Sequence, residues 1–268
     1  MEQGMDFSLK GKVALVTGGS KGVGRAIASC FAQHGADVVI AARDERQLRE
    51  AERIHHGEGR LVGVRADVAR EDDLEALVAT TIDRFGGVDI LVNNAGLLVR
   101  GELSTLSYET FQSVMHVNVW APLKLAQLCR SSMEARRDGV IINIASILGI
   151  RSTAYLGAYS LSKAALINAS ELIAKEWGKY DIRCVCLALG VIRTEMASEL
   201  VKLIESGFQI SPINRIGEAE DVAGLALYLA SKTGRYATSA TYVLDGGTLS
   251  MSSSPSSVGI LKPAGGKA

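Results

Sequence analysis

Four apolar residues, Val13 to Val16, run directly into Thr17-Gly18-Gly19-Ser20-Lys21-Gly22-Val23-Gly24. A short unbroken apolar run of this kind reads as a strand buried on both faces, as in a parallel sheet. Ala26, Ile27, Cys30 and Phe31 then recur at helical spacing, and His34-Gly35 ends that helix. Few folds are open to a chain that leaves a buried strand through closely spaced glycines and enters a helix at once. Glycines admit positive φ and let the backbone approach a ligand closely. The free N–H groups at the helix start supply partial positive charge. The segment therefore fits the strand–turn–helix unit that holds a dinucleotide pyrophosphate; an ordinary glycine-rich turn is the alternative.

The same alternation continues along the chain. Strands are predicted at Val38–Ala42, Leu61–Ala66, Ile90–Val92, Val140–Ile144, Arg183–Ala188 and Thr241–Leu244. Helices are predicted at Glu71–Phe85, Asn118–Arg137, Ala158–Lys179 and Glu218–Ala230. Strands and helices alternating through short connections give an α/β fold: a single-domain Rossmann fold, doubly wound, with a parallel sheet of about seven strands and helices on both faces. No linker divides residues 1–249, which form one dinucleotide-binding catalytic domain with a substrate lid at about 191–213. Residues 250–268 are rich in Ser, Gly and Pro and read as a C-terminal tail.

Composition narrows the function classes. Lys plus Arg and Asp plus Glu number 29 each, so no strong global field favours nucleic acid or an acidic membrane. Cys30, Cys129, Cys184 and Cys186 lack zinc-like spacing, no metal site is expected, and all four read as buried thiols of a reducing compartment. The first residues carry Glu2 and Asp6 and no apolar core segment, and no stretch is long and apolar enough to span a bilayer. A soluble, cytoplasmic protein is expected.

The end of the second strand bears on the choice of dinucleotide. An Asp or Glu there would accept hydrogen bonds from ribose hydroxyls and repel a 2′-phosphate. This chain has Ala42 followed by Arg43, and Lys21 adds a cation in the glycine turn. Two cations without an acid suit a 2′-phosphate and so NADP(H); solvated surface charges are the other reading.

Tyr159 and Lys163 are one helical turn apart, and Tyr159 follows Ser146 by 13 residues. A tyrosine with an ordinary pKa of about 10 is a poor proton donor at neutral pH, and a lysine ammonium one turn away is expected to lower that value. Ser146 lies at the C-terminal end of a strand, where open α/β sheets place their sites. Tyr-x-x-x-Lys alone is common in helices; with Ser146 and the glycine turn it forms a constellation.

At this point the chain resembles the short-chain dehydrogenase/reductase family from about Leu9 to Gly247. The resemblance rests on the glycine signature, Asp67-Val68, Asn93-Asn94-Ala95-Gly96, Asn118, Ser146, Tyr159, Lys163 and Asp245-Gly246-Gly247. It implies a catalytic tetrad of Asn118, Ser146, Tyr159 and Lys163. Tyr159 would be the general acid in reduction, and Ser146 would orient the carbonyl. Lys163 would bind the nicotinamide ribose, and Asn118 would hold a relay water. The cofactor NADP(H) would meet Gly18, Ser20, Lys21, Gly22, Val23, Gly24, Arg43, Asp67, Val68, Asn94, Ala95, Gly96, Tyr159, Lys163, Gly190, Ile192 and Thr194. The family's Asn-x-x-x-Pro-Gly after the sixth strand departs here to Val185-Cys186-Leu187-Ala188-Leu189-Gly190. Leu189 thus replaces a Pro, which frees φ and adds an N–H in need of a partner.

The substrate side reads as apolar. Leu98, Ile147, Leu148, Leu156 and Met196 are the expected pocket, with Leu97 and Val99 beside them, and Met196, Leu200, Leu203 and Ile204 form a helical stripe in the lid. Reversible hydride transfer to an apolar ketone or aldehyde, driven by NADPH, follows from the resemblance. The narrower branch it suggests is the 3-oxoacyl-carrier-protein reductase. There Arg137 would meet an acidic carrier protein, with Tyr180 at a second position usually basic and Lys179 just before it. A non-catalytic NADP-binding redox sensor is the reading from another class. The resemblance also implies a homotetramer or homodimer in which the helix after Asn118 and the Tyr159 helix pair across two-fold axes. No nucleic-acid or membrane partner is expected.

Overall fold

In the computed structural model, the described residues are 5–198, 201–202, 211–213 and 215–251, with the side chain of Met196 outside them. The expected strands all form: β1 (Val13–Thr17), β2 (Asp37–Ala42), β3 (Leu61–Arg65), β4 (Ile90–Asn93), β5 (Gly139–Ser146), β6 (Ile182–Leu189) and β7 (Thr241–Leu244). They pair in parallel in the order β3-β2-β1-β4-β5-β6-β7. The order reverses direction between β1 and β4, and in such sheets that switch point opens a crevice beyond the C-terminal strand ends.

Alternation along each strand divides the core in two. Ala14, Val16, Val38, Ile40, Ile142 and Leu187 face one layer, formed by α1 (Gly22–Gln33), α2 (Glu45–Arg53) and the C-terminal α7 (Ala219–Ala230). Leu15, Val39, Leu91, Ile141 and Cys184 face the other, formed by α3 (Glu71–Phe85), α5 (Ala121–Arg136) and α6 (Gly157–Trp177). Burial on both faces explains why the strands read as continuous apolar runs.

Two helices had no sequence expectation: α2, and α4 (Tyr108–Met115). Each buries little, Leu48 and Ala51 in α2 and Val114 in α4. Their starts are set by caps instead. Asp44 accepts from the N–H groups of Arg46 and Gln47, and Ser107 from that of Thr110. The helix expected at Asn118–Arg137 also changes at its start. A π-helical turn, His116–Trp120, joins α4 to α5, so Asn118 sits in wider backbone geometry rather than at a helix start.

Three of the four thiols are buried, whereas Cys30 is only partly so. No helix among the described residues is long and apolar enough to cross a membrane, and no group of metal-binding side chains occurs among them. Leu200, Leu203, Ile204 and the tail beyond Met251 lie outside the described residues.

Candidate active site

A cleft of about 1300 Å³ opens along the C-terminal strand ends. That exceeds the ~300–1,000 Å³ of a pocket for one small ligand, so it has room for a large cofactor and a substrate together. Every expected site residue lines it except Gly24, Asn118 and the undescribed side chain of Met196.

The glycine turn is shaped by contacts as well as by φ. Gly18 and Gly22 have φ of +63° and +56°, a region that side chains disfavour. A Cβ on Gly24 would lie 2.3 Å from the Gly18 carbonyl oxygen and 2.4 Å from Asn94 Nδ2. Gly24 is therefore needed for the close approach of α1 to the turn, not for the cleft wall. Asn94 ties β4 to the same turn: its Nδ2 donates to the carbonyls of Thr17 and Gly18 at 3.0 and 3.2 Å. The buried Thr17 hydroxyl accepts from the N–H groups of Asn94 and Ala95 at 3.0 and 3.1 Å. The result is a glycine cradle at a helix N-terminus, held rigid from the neighbouring strand, and it fits a pyrophosphate.

The corner beyond β2 differs in two respects from the sequence expectation. Arg43 is exposed on the cleft wall with no hydrogen-bond or ion-pair partner among the described residues, whereas Lys21 is ion-paired with Glu195. Both partners of that pair are exposed, so it is weak and easily exchanged. An acid is also present, since Asp44 lines the cleft. Its Oδ1, however, is taken up in capping α2. Further along, Ala66 to Ala69 form the wall at the end of β3, and Asp67 Oδ1 accepts from the N–H of Ala69 at 3.0 Å.

Lys163 is buried, and its Nζ donates to the Ile144 carbonyl at 2.8 Å and lies 5.6 Å from the centre of the Tyr159 ring. Burial pulls its pKa down to about 8, opposed by the nearby Cys186. For Tyr159 the expectation is reversed. Burial pushes its hydroxyl up to about 12, and only the hydrogen bond with Ser146 works against this. Each group avoids charge because each is out of water.

Asn118 is fully buried, and both ends of its amide are bonded. Nδ2 donates to the Leu97 carbonyl and to Ser162 Oγ, both at 2.9 Å, while Oδ1 accepts from the N–H of Leu97 at 2.7 Å. Both amide protons are thus spent on the loop after β4 and on α6. The side chain pins these elements together, and Oδ1 keeps one lone pair for a further donor. Gly96 fills the gap between Asn118 and Lys163: a Cβ there would lie 3.4 Å from Asn118 Oδ1 and 3.7 Å from Lys163 Nζ.

Leu189, in the place of the Pro, extends β6 and is in register with Ser146 on one side and Leu244 on the other. Strand pairing on both sides takes over the restraint that a Pro would give. Gly190 follows because a Cβ there would sit 2.7 Å from the Cα of Asp245. The Asp245 carboxylate in turn accepts from the N–H groups of Gly247 and Leu249, both at 2.8 Å. The C-terminal signature therefore buttresses the loop after β6.

Comparison with known proteins agrees with this architecture. A family profile described as enoyl-(acyl carrier protein) reductase matches residues 18–248. The chain is 37% identical over 245 residues to a 3-oxoacyl-[acyl-carrier-protein] reductase of Chlamydia pneumoniae, covering 91% of this chain and 99% of that protein. It is 36% identical over 245 residues to the human dehydrogenase/reductase SDR family member 4, covering 90% and 88%. This chain belongs to the short-chain dehydrogenase/reductase family. Among solved structures, L-sorbose reductase from Gluconobacter frateurii, complexed with NADPH and L-sorbose, superposes with a TM-score of 0.87 at 35% identity, covering 92% of this chain and 100% of that one. As a member of this family the chain is an oxidoreductase acting on CH–OH or carbonyl groups. The names differ in the substrate they state, enoyl-(acyl carrier protein), 3-oxoacyl-[acyl-carrier-protein] or L-sorbose, so they do not select one.

The substrate end departs from the apolar expectation. Leu98, Ile147, Leu148 and Leu156 do line it, but so do Gln112, Ser113, His116, Arg151 and Thr153. Of this second set the sequence points only to Arg151, as a residue in reach of an anionic substrate. The first three lie on α4 and its π-helical continuation, a short segment that buries few side chains. The other two lie in a loop whose path only the tertiary structure defines.

Proposed function

We propose that this short-chain dehydrogenase/reductase reduces a ketone or aldehyde carbonyl to an alcohol with NADPH, reversibly, and that residues 1–249 are the catalytic unit. The observation that carries the reading is one cleft holding both a rigid glycine cradle and the Ser146–Tyr159–Lys163 group. NADPH supplies the hydride when bound. Gly18, Ser20, Gly22 and the free N–H groups starting α1 hold its pyrophosphate, Arg43 neutralises the 2′-phosphate, and Asp67 and Val68 flank the adenine. The bound NADPH of the sorbose reductase supports this choice of cofactor.

Tyr159, protonated across the neutral range, delivers its hydroxyl proton to the carbonyl oxygen. Ser146 donates to that same oxygen and orients it. Lys163, cationic below about pH 8, stabilises the phenolate as it forms. Asn118 acts through Leu97 and Ser162 by fixing the loop and helix that carry the site.

A homo-oligomer fits the outer face of α6, where Leu161 and Leu172 remain 52% and 51% exposed. Light scattering tests it, and a monomer mass at micromolar concentration would count against it. The carrier-protein branch has less support. Arg137 is ion-paired with Asp181 at 2.7 Å and donates to the Lys179 carbonyl at 3.1 Å, so an acidic partner would have to exchange with Asp181 across an exposed pair.

The deciding experiment follows reduced-nicotinamide absorbance with a panel of ketones and aldehydes. Turnover that falls at least about a hundredfold in Tyr159→Phe, with NADPH binding retained, is expected. Tight NADPH binding with no turnover of any carbonyl would leave the redox-sensor reading instead.

A further inference from the structure

Six buried side-chain polar atoms lack a hydrogen-bond partner among the described residues, and two of them, His116 Nε2 and Thr153 Oγ1, belong to residues lining the cleft. They come from separate elements: His116 from the π-helical turn before Asn118, and Thr153 from the loop between β5 and α6. Buried polar atoms in folded proteins are nearly always satisfied, so an orphan on a residue that lines a ligand cleft calls for an explanation.

The loop carrying Thr153 is held firmly. The Gly101 N–H donates to the Tyr155 carbonyl at 2.9 Å, and Gly101 and Leu156 form a parallel bridge. Tyr155 itself is kept at φ +64°, a conformation that costs energy for a bulky residue and persists only when its surroundings impose it. Thr153 is therefore presented by a preorganised loop. His116 is placed by the same turn that buries Asn118 and engages its amide. Gln112 and Ser113, one turn earlier, extend the polar wall.

We propose that His116 and Thr153 form a substrate subsite that hydrogen-bonds an oxygen beyond the reacting carbonyl, making the preferred substrate a hydroxylated carbonyl compound. The assignment rests on the carbonyl-reduction reading above. A threonine hydroxyl donates and accepts, and a histidine nitrogen does one or the other according to tautomer. Either can meet a hydroxyl group, whereas an alkyl chain would leave both atoms unpaired. A site built to bond a substrate hydroxyl discriminates strongly against the analogue that lacks it.

The test uses matched pairs, such as cyclohexanone with its α-hydroxy derivative and a linear methyl ketone with its α- and β-hydroxy forms. In the native protein, kcat/KM for at least one hydroxylated member should exceed that of its parent by about tenfold or more. Thr153→Val, which keeps the side chain's shape, and His116→Leu should each reduce that ratio several-fold. A merely structural role would depress both members together and leave the ratio unchanged. Ratios near one for every pair in the native protein, or a native preference that survives in both variants, would overturn the subsite. If no carbonyl compound is turned over, the reaction reading fails separately. Calorimetric binding of the hydroxyketones to the NADPH-loaded protein then decides: weakening in both variants supports the subsite, and unaltered binding overturns it.

Discussion

Lys163 and Tyr159 stand one turn apart on α6 in a shared buried setting, the ammonium 5.6 Å from the ring centre, and burial favours the neutral form of each, which drives their pKa values apart, to about 8 and about 12. The pH dependence of reduction follows from the lysine. Below about pH 8 Lys163 holds its proton and favours phenolate formation; above it the charge is lost while Tyr159 stays protonated. The rate of reduction should be level at neutral pH and fall above about 8. A break well below neutrality would point to a different group. Lys163→Met should lose turnover yet remain folded by circular dichroism.

Arg43 would bear the larger share of the proposed cofactor preference, because it has no partner among the described residues while Lys21 must first leave its exposed pair with Glu195. A charge-assisted hydrogen bond is worth about 1.5–3 kcal/mol, so Arg43→Ala should weaken NADPH use by about 10- to 150-fold and spare NADH. Arg43→Asp should invert the preference. Steady-state kinetics with both cofactors measures it, and equal efficiency with NADH in the native protein would refute the assignment.

Away from the cleft, Asp89 is buried beside β1. Its Oδ2 accepts from the Val13 N–H at 2.8 Å and from Arg136 Nη1 at 2.6 Å. Arg136→Met would strand the carboxylate, a change that costs about 3 kcal/mol where one partner of a buried pair is removed. A lower urea midpoint with unchanged slope is expected. A change under about 0.5 kcal/mol, the range of ordinary surface substitutions, would show that water replaces the arginine.

The C-terminal boundary can be placed within a few residues. Thr248 and Leu249 line the cleft, and the Met251 carbonyl accepts from Arg151 at 3.4 Å. Truncation after Ser250 should keep the turnover number with a small ketone within a few-fold, whereas removal from Thr248 onward should damage it. Collapse of activity in the first variant, with the fold intact, would show that the residues beyond Ser250 complete the site.

The sequence by itself determined the sheet and its cofactor turn. Strands buried on both faces must be apolar throughout, and a backbone that cradles a phosphate needs glycine where φ is positive, so both leave local marks, as at Val13–Val16 and Gly18–Gly24. α2 and α4 left weaker marks because they are short and bury only Leu48 and Ala51 in one and Val114 in the other, with starts set by single caps, Asp44 and Ser107. Only the tertiary structure decided the charge states and the substrate wall. Whether burial or the lysine governs Tyr159 depends on how much water surrounds both, and sequence spacing carries no measure of that. It likewise took the folded chain to engage both amide protons of Asn118, to pair Lys21 with Glu195, and to bring His116 and Thr153, 37 positions apart by their numbering, to one cleft with their polar atoms unmet. Hydrogen-bond satisfaction is a property of three-dimensional neighbours, and those are set by packing between elements rather than by order along the chain.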